Sequence, residues 1–95
     1  MFRIQKTFEN TSTLIYKVEG RITDENIDSW LQGIRSLGQE SERQIILDFC
    51  QLWSISTKAL DVLFGTVRDN LFLLNCPMDL RNVLRAAGET TRILE

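Results

Sequence analysis

The first twenty residues carry the hydrophobic pattern of two short β-strands. Apolar and polar side chains alternate in each strand, which is the period expected when one face of a sheet is buried. The apolar positions are Phe2, Ile4 and Phe8 in the first strand and Leu14, Tyr16 and Val18 in the second. Between the strands, Glu9 to Ser12 consists of residues that favour tight turns. The pattern therefore predicts an antiparallel hairpin that ends at Gly20.

Three later segments have apolar residues at the spacing that places them on one face of a helix. They are Ile27, Trp30, Leu31, Ile34 and Leu37 in the first segment, Ala59, Leu60, Leu63, Phe64 and Val67 in the second, and Leu80, Val83, Leu84 and Ala87 in the third. Because Trp30 lies on the apolar stripe of its helix, we expect it in the core. Pro77 suits the first turn of the third helix, and Gly38 and Gly88 fall just past the ends of the first and third.

Two continuous apolar runs predict interior strands. They are Ile45 to Leu47, followed by Phe49, and Leu71 to Leu74, and we expect both to be covered on both faces. Thr91 to Leu94 predicts a short last strand. The resulting order predicts an α/β protein with a mixed sheet, in a single domain spanning residues 1–95. The N-terminal hairpin is antiparallel with its strand at an edge, the central strands are parallel, and about three helices connect them.

Composition and charge exclude several functional classes. The chain has 11 Lys and Arg against 13 Asp and Glu, a net charge of −2, and its basic residues are scattered singly. This distribution disfavours nucleic-acid binding, which needs a basic stripe or patch. The N-terminus has no apolar segment, and the longest wholly apolar run is Leu71 to Leu74. We therefore expect neither a secretory signal nor a membrane-spanning helix, and predict a cytoplasmic protein.

Histidine is absent from the chain. The commonest general base and every histidine-based triad or zinc site are therefore missing, and we expect no catalytic residue, metal or cofactor. The two cysteines, Cys50 and Cys76, lack metal-ligand spacing and adjoin apolar residues at strand ends. We expect both to be buried reduced thiols.

The segment Ser54 to Thr57 separates the predicted central strand from the second helix, and it is rich in hydroxyl groups. The first N–H groups of a helix have no partner within the helix, so such a turn favours anions. One interpretation makes Ser56 a simple helix N-cap. Another makes Thr57, or Ser56, a phospho-acceptor. Trp53, just before the turn, can either cap the core or anchor an interface.

Several segments in order resemble the STAS domain, the fold of bacterial anti-sigma factor antagonists. They are Val18 to Ile22 before the first helix, Ile45 to Asp48 with Ile55 and Leu60 around the turn, Asn75 to Pro77 leading into Leu80 to Leu84, and then Gly88 and Arg92 to Leu94. The likeness covers nearly the whole chain and preserves the order of the elements, although the second helix is shorter than in the family.

The resemblance implies a site at the turn. STAS antagonists typically carry Asp-Ser-Ser-Gly there, and a partner kinase that is also the anti-sigma factor phosphorylates the first serine. Alignment without gaps places these four residues on Ser56, Thr57, Lys58 and Ala59. Thr57 then occupies the acceptor position, while Ser56 replaces the family aspartate. A second family aspartate falls on Thr23, with Asp24 one position further on.

The resemblance implies a protein-interaction module without enzymatic activity. The first hypothesis is a regulator that binds a serine/threonine kinase, anti-sigma factor or phosphatase through Thr23, Asp24, Trp53, Ser54 and Lys58. Phosphate at Thr57 or Ser56 would switch this binding. The second hypothesis is a constitutive, unphosphorylated STAS subunit of a transporter or signalling complex, which the two missing aspartates favour. A homodimer is possible under both.

Overall fold

The hairpin predicted at the N-terminus forms the start of a five-stranded sheet in the computed structural model, which describes residues 1–38, 42–66, 70–88 and 92–94. The strands in this part of the chain are β1 (Phe2–Glu9), β2 (Thr13–Ile22), β3 (Gln44–Ile55), β4 (Leu71–Leu74) and β5 (Ile93–Leu94). The helices are α1 (Ile27–Gly38), α2 (Thr57–Thr66) and α3 (Met78–Ala86), and a short 3-10 helix (Asp24–Asn26) precedes α1. The predicted positions Val67 and Thr91 lie outside the described residues.

The strands follow one another across the sheet in chain order, β1-β2-β3-β4-β5. β1 pairs with β2 in antiparallel orientation, and the remaining pairs are parallel. This confirms the mixed sheet, the hairpin and the edge position of β1. The hairpin turn is held by Asn10, whose Oδ1 accepts hydrogen bonds from the backbone N–H groups of Ser12 (2.9 Å) and Thr13 (2.7 Å).

All three helices pack on the same face of the sheet. Parallel crossovers are right-handed, and a strand order that advances in one direction places every crossover helix on one side. The core accordingly joins the inward residues of β2, β3 and β4 with the apolar stripes of the helices. Its members include Val18, Ile22, Trp30, Ile34, Ile45, Leu47, Phe49, Leu63, Leu71, Leu73 and Leu84.

Trp30 is fully buried, which confirms its predicted place in the core. Its Nε1–H donates a hydrogen bond of 2.9 Å to the backbone oxygen of Ala59, and its ring meets Phe2 edge-on. The indole therefore connects α1 to the first turn of α2 as well as to the edge strand.

The expectation that the interior strands are covered on both faces is wrong. Ile46, Phe72 and Leu74 point away from the helices and are only half-buried. A continuous apolar run has the same composition whether one face or two are covered, so the sequence could not distinguish the two cases.

The predicted end of β2 at Gly20 is also wrong, because the strand continues to Ile22. Gly20 has φ +93°, and a Cβ there would stand 2.5 Å from the backbone oxygen of Met1. Glycine is thus required inside the strand by a close approach of β1. At the end of α3 the prediction is confirmed, since Gly88 follows the C-cap residue with φ +77°. Pro77 lies one residue earlier than expected, at the N-cap of α3.

Candidate functional site

β3 contains two extra residues relative to β2 in its second half. The register shifts twice. From Lys17 to Glu19, β2 advances two residues while β3 advances three, from Asp48 to Gln51. From Gly20 to Arg21, β2 advances one residue while β3 advances two, from Leu52 to Ser54. Each shift inserts one additional residue into β3, which is the definition of a β-bulge. Bulges change the directions in which side chains point. In β3 they place Leu52 in the core, while the residues on either side of it are exposed.

Trp53 is the extra residue of the second bulge and is 74% exposed. The guanidinium of Arg21 lies 5.3 Å from the centre of its ring, a distance at which cation and ring attract each other. The interpretation of Trp53 as a cap on the core is therefore wrong, and its role as an interface anchor stays a prediction. The sequence contains no direct signal for the bulge, because bulges depend on pairing with a neighbouring strand.

The polar turn predicted from Ser54 to Thr57 is shorter in the structure. Ser54 and Ile55 belong to β3, Thr57 begins α2, and Ser56 alone connects them. The backbone N–H of Ser56 still bonds to the oxygen of Ile22 at 2.9 Å, so sheet pairing continues up to the helix. The two bulges lengthen β3, so the strand includes Ser54 and Ile55, which the sequence pattern assigns to the turn.

Ser56 has the geometry of a helix N-cap. Its Oγ accepts a hydrogen bond from the backbone N–H of Ala59 (3.1 Å), and its backbone oxygen accepts one from Leu60 (3.1 Å). The side chain is half-buried. One of the free N–H groups of α2 is thereby satisfied by Ser56.

Thr57 and Lys58 are exposed in the first turn of α2. Within the described part of the chain, the Thr57 hydroxyl makes no hydrogen bond. The two candidate acceptors therefore differ in their surroundings: Ser56 is engaged in the fold, and Thr57 is available.

Thr57 lies on the wall of a groove between the end of β3, the start of α2 and α3, which we call the β3–α3 groove. Its volume is about 200 Å³, and it is lined by Leu52, Trp53, Ser54, Ile55, Thr57, Leu60, Pro77, Asp79, Leu80 and Val83. Asp79 is the one charged residue among these. Three exposed apolar side chains, Trp53, Met78 and Val83, lie in or beside the elements that form the groove.

A second, shallower depression lies on the other side of the connector. Thr23, Asp24, Ser54 and Ser56 line it together, so the structure brings four of the predicted positions close to one another. Thr23 precedes the 3-10 helix and its Oγ1 donates to Asn26 Oδ1 at 3.1 Å. Lys58 and Trp53 do not line this depression. Ser54 borders both the depression and the β3–α3 groove.

A polar cluster that the sequence did not predict lies where β4 ends. Asp48 Oδ1 accepts hydrogen bonds of 3.0 Å from the amide of Asn75 and from the backbone N–H of Cys50. Partial burial opposes ionisation of Asp48, but hydrogen bonds from Asn75 and Cys50, together with the charge of Lys17, outweigh it and hold the pKa of the carboxyl below its ordinary value. Asn75 has φ +56°, which turns the chain sharply after β4. Asparagine adopts this left-handed backbone conformation more readily than most residues do.

The two cysteines differ from each other. Cys76 is buried as expected, and burial raises the pKa of its thiol to about 11. Cys50 is exposed, so the prediction of a buried thiol is wrong there. It follows Phe49 in the first bulge, where the strand no longer alternates regularly between its faces. Partial desolvation, together with the hydrogen bond to Asp48, raises the pKa of Cys50 too.

In the described ranges there is no cluster of three acidic or cysteine residues arranged to bind a metal ion. No helix in these ranges combines the length and hydropathy required to cross a bilayer.

The element order, the mixed sheet and the position of the connector define the class of fold. The chain has the STAS-like α/β fold of the anti-sigma factor antagonists, which confirms the resemblance at the level of the fold. No protein-family model matches the sequence, and no curated protein matches it.

Particular solved structures with this fold include the Bacillus cell fate determinant SpoIIAA in its phosphorylated form. The TM-score is 0.73 at 16% identity, over 97% of this chain and 89% of that one. The unphosphorylated form of the anti-sigma factor antagonist SpoIIAA aligns with a TM-score of 0.74 at 16% identity, over 97% and 86%. An anti-sigma factor antagonist from Mycobacterium paratuberculosis aligns with a TM-score of 0.77 at 12% identity, over 98% and 83%.

Proposed function

We propose that this protein is a cytoplasmic regulatory module of the anti-sigma factor antagonist type. It binds a regulatory protein, such as a serine/threonine kinase that acts as an anti-sigma factor, or a phosphatase, through the β3–α3 groove and the connector. Phosphorylation of Thr57 switches this binding. The module carries out no catalysis of its own.

The observation that carries the proposal is the position of the Thr57 hydroxyl. It is exposed, makes no hydrogen bond in the described part of the chain, and stands at the N-terminus of α2 on the wall of an apolar groove. SpoIIAA structures in a phosphorylated and an unphosphorylated form share this fold, which supports control by phosphorylation.

A phosphate on Thr57 would have two opposing effects. The N-terminus of α2 and Lys58 would favour its negative charge, so the modified protein itself would be stable. In a docked complex, however, the added −1.5 to −2 charges (approximate values at pH 7) would have to leave water in a groove with predominantly apolar walls. Desolvation of the phosphate would therefore weaken docking.

The other predicted residues have supporting roles in this proposal. Ser56 caps α2 and holds Thr57 in place. Trp53 is the exposed apolar anchor, and Ser54 forms the border between the groove and the depression. Thr23 and Asp24 extend the contact surface beyond the connector.

Phosphate mapping tests the switch. The full chain is incubated with ATP and the serine/threonine kinases of its own cell, and the modified residue is identified by mass spectrometry. We expect phosphate at Thr57 and none on a Thr57→Ala variant. A Ser56→Ala/Thr57→Ala double variant that keeps normal regulation in the cell, together with an unmodified wild-type protein, would refute the proposal.

The second candidate is a constitutive, unphosphorylated STAS subunit of a transporter or signalling complex. The use of the Ser56 side chain as a helix N-cap favours it, because a cap explains this serine without phosphorylation. In that case a partner would co-purify with the protein regardless of phosphatase treatment or of Thr57→Glu. Release of the partner by Thr57→Glu, with retention by the uncharged Thr57→Gln, would exclude this candidate.

A further inference from the structure

One edge of β3 has no neighbouring strand in its second half. β4 pairs with β3 only from Ile45 to Asp48, whereas β2 pairs with it up to Ile55. Within the described residues, the segment from Phe49 to Ile55 thus has a strand on the β2 side alone. The backbone N–H of Cys50 donates to Asp48 Oδ1. From Gln51 to Ile55, the backbone N–H and C=O groups on the opposite edge are available for pairing, which is the usual property of an edge strand.

The chain beyond β4 turns away from this edge for identifiable reasons. Asn75 adopts positive φ and hydrogen-bonds to Asp48, so the strand ends there. Pro77 follows and has no N–H with which it could extend the ladder. α3 then starts on the far side of the β3–α3 groove, and the groove separates Leu52 and Trp53 on β3 from Leu80 and Val83 on α3.

The walls of this groove indicate the chemistry of an occupant. They are mainly apolar, and Asp79 is the one charged lining residue. Asp79 is exposed and, in the part of the chain that the structure describes, forms no ion pair. An occupant that pairs with a backbone edge must be an extended chain. Its alternate apolar side chains would fit the groove, and a basic side chain of the same segment would complement Asp79.

We propose that the partner docks as an extended segment that pairs with the free edge of β3 from Gln51 to Ile55. Its apolar side chains enter the β3–α3 groove, and a lysine or arginine of the segment pairs with Asp79. This inference rests on the proposed function for the existence of a partner, and it specifies how that partner is recognised. A helix or a small molecule in the groove would leave the β3 edge unpaired.

Peptide display on the full chain tests the proposal. A phage library of random seven-residue peptides is selected against the wild-type protein, against Val83→Arg, and against Met78→Arg. Val83 lines the groove, whereas Met78 is equally apolar, exposed and on the same helix but does not line it. We expect peptides with alternating apolar residues and one lysine or arginine, retained by Met78→Arg and lost on Val83→Arg.

The backbone pairing is then tested with the wild-type protein alone, so the result does not depend on the folding of a variant. Each peptide bond of a selected peptide is N-methylated in turn, and affinity is measured by isothermal titration calorimetry. Methylation at alternate positions should weaken binding at least about fivefold, because each removes a backbone hydrogen bond, and the intervening positions should change little. An Asp79→Asn variant should lose the preference for the basic residue.

Three results would overturn the inference: no peptide that depends on Val83, an N-methylation profile without alternation, or an unchanged basic preference in Asp79→Asn. These outcomes do not depend on whether Thr57 is phosphorylated. If Thr57 is never phosphorylated but the alternating profile is found, the docking mode stands and the switch fails. If Thr57 is phosphorylated but the profile is flat, the switch stands and strand pairing is refuted.

Discussion

Replacing Ser56 by alanine should destabilise the protein, whereas replacing Thr57 should not. Ser56 Oγ accepts the N–H of Ala59 at 3.1 Å from a half-buried position, and alanine would leave that N–H without its partner. The loss of a serine N-cap costs about 1 kcal/mol. For a domain of 95 residues, this corresponds to a fall in the melting temperature of roughly 4–8 °C. Thr57→Ala removes an exposed hydroxyl and should change the free energy of unfolding by less than about 0.5 kcal/mol.

Thermal and urea unfolding, followed by circular dichroism, measure both variants against the wild type. Ser56→Asp is the matched control, since aspartate caps helices about as well as serine. We expect Ser56→Asp to keep the wild-type stability and Ser56→Ala to lose it with an unchanged m-value. If Ser56→Ala unfolds like the wild type, or if Thr57→Ala is the more destabilised variant, the assignment of Ser56 to the fold and Thr57 to regulation is refuted.

Four further predictions concern the scaffold around this site. Trp30→Phe should lower the free energy of unfolding by about 2–4 kcal/mol in urea titrations, because it removes a buried hydrogen bond to the first turn of α2 and leaves a cavity; a smaller change than Ser56→Ala would contradict this. Gly20→Ala should cost about 1–3 kcal/mol by the same measurement, since φ is +93° and the new Cβ would meet the backbone of β1. A thiol reagent at pH 8 should label Cys50 in the folded protein and reach Cys76 only after unfolding. Because burial raises the pKa of Cys76 from 9.0 to about 11, its thiol stabilises the fold fully below pH 9 and loses this contribution as the pH rises towards 11. Cys76→Ala should therefore flatten the alkaline part of the stability profile, and an unchanged slope would contradict the shift.

Strongly periodic segments were predictable from local pattern. Leu71 to Leu74 forms β4 with the expected bounds, Trp30 lies in the core, and Gly88 follows the C-cap of α3 with positive φ. In each case the relevant physics acts within a few residues of the chain: hydrophobic period, helix capping and the tolerance of glycine for positive φ.

The candidate site was predictable only in outline. The sequence predicts a hydroxyl-bearing connector before α2, but the connector is shorter than predicted and Cys50 is exposed. Both errors have the same origin, the two bulges of β3. A bulge arises from the pairing of two strands that are distant in sequence, so no local pattern in β3 could predict it. The Asp48–Asn75 contact was missed for the same reason.

The sequence by itself determined the order of the elements, the apolar faces of the helices and a hydroxyl-rich connector before α2, because these depend on neighbouring residues. The tertiary structure decided which residues of the site face solvent. It exposes Trp53 through a bulge, ends β4 at Leu74 with a turn at Asn75, and so leaves an open edge on β3 beside an apolar groove. These features depend on long-range strand pairing, in which a shift of one residue moves a side chain from the core to the surface.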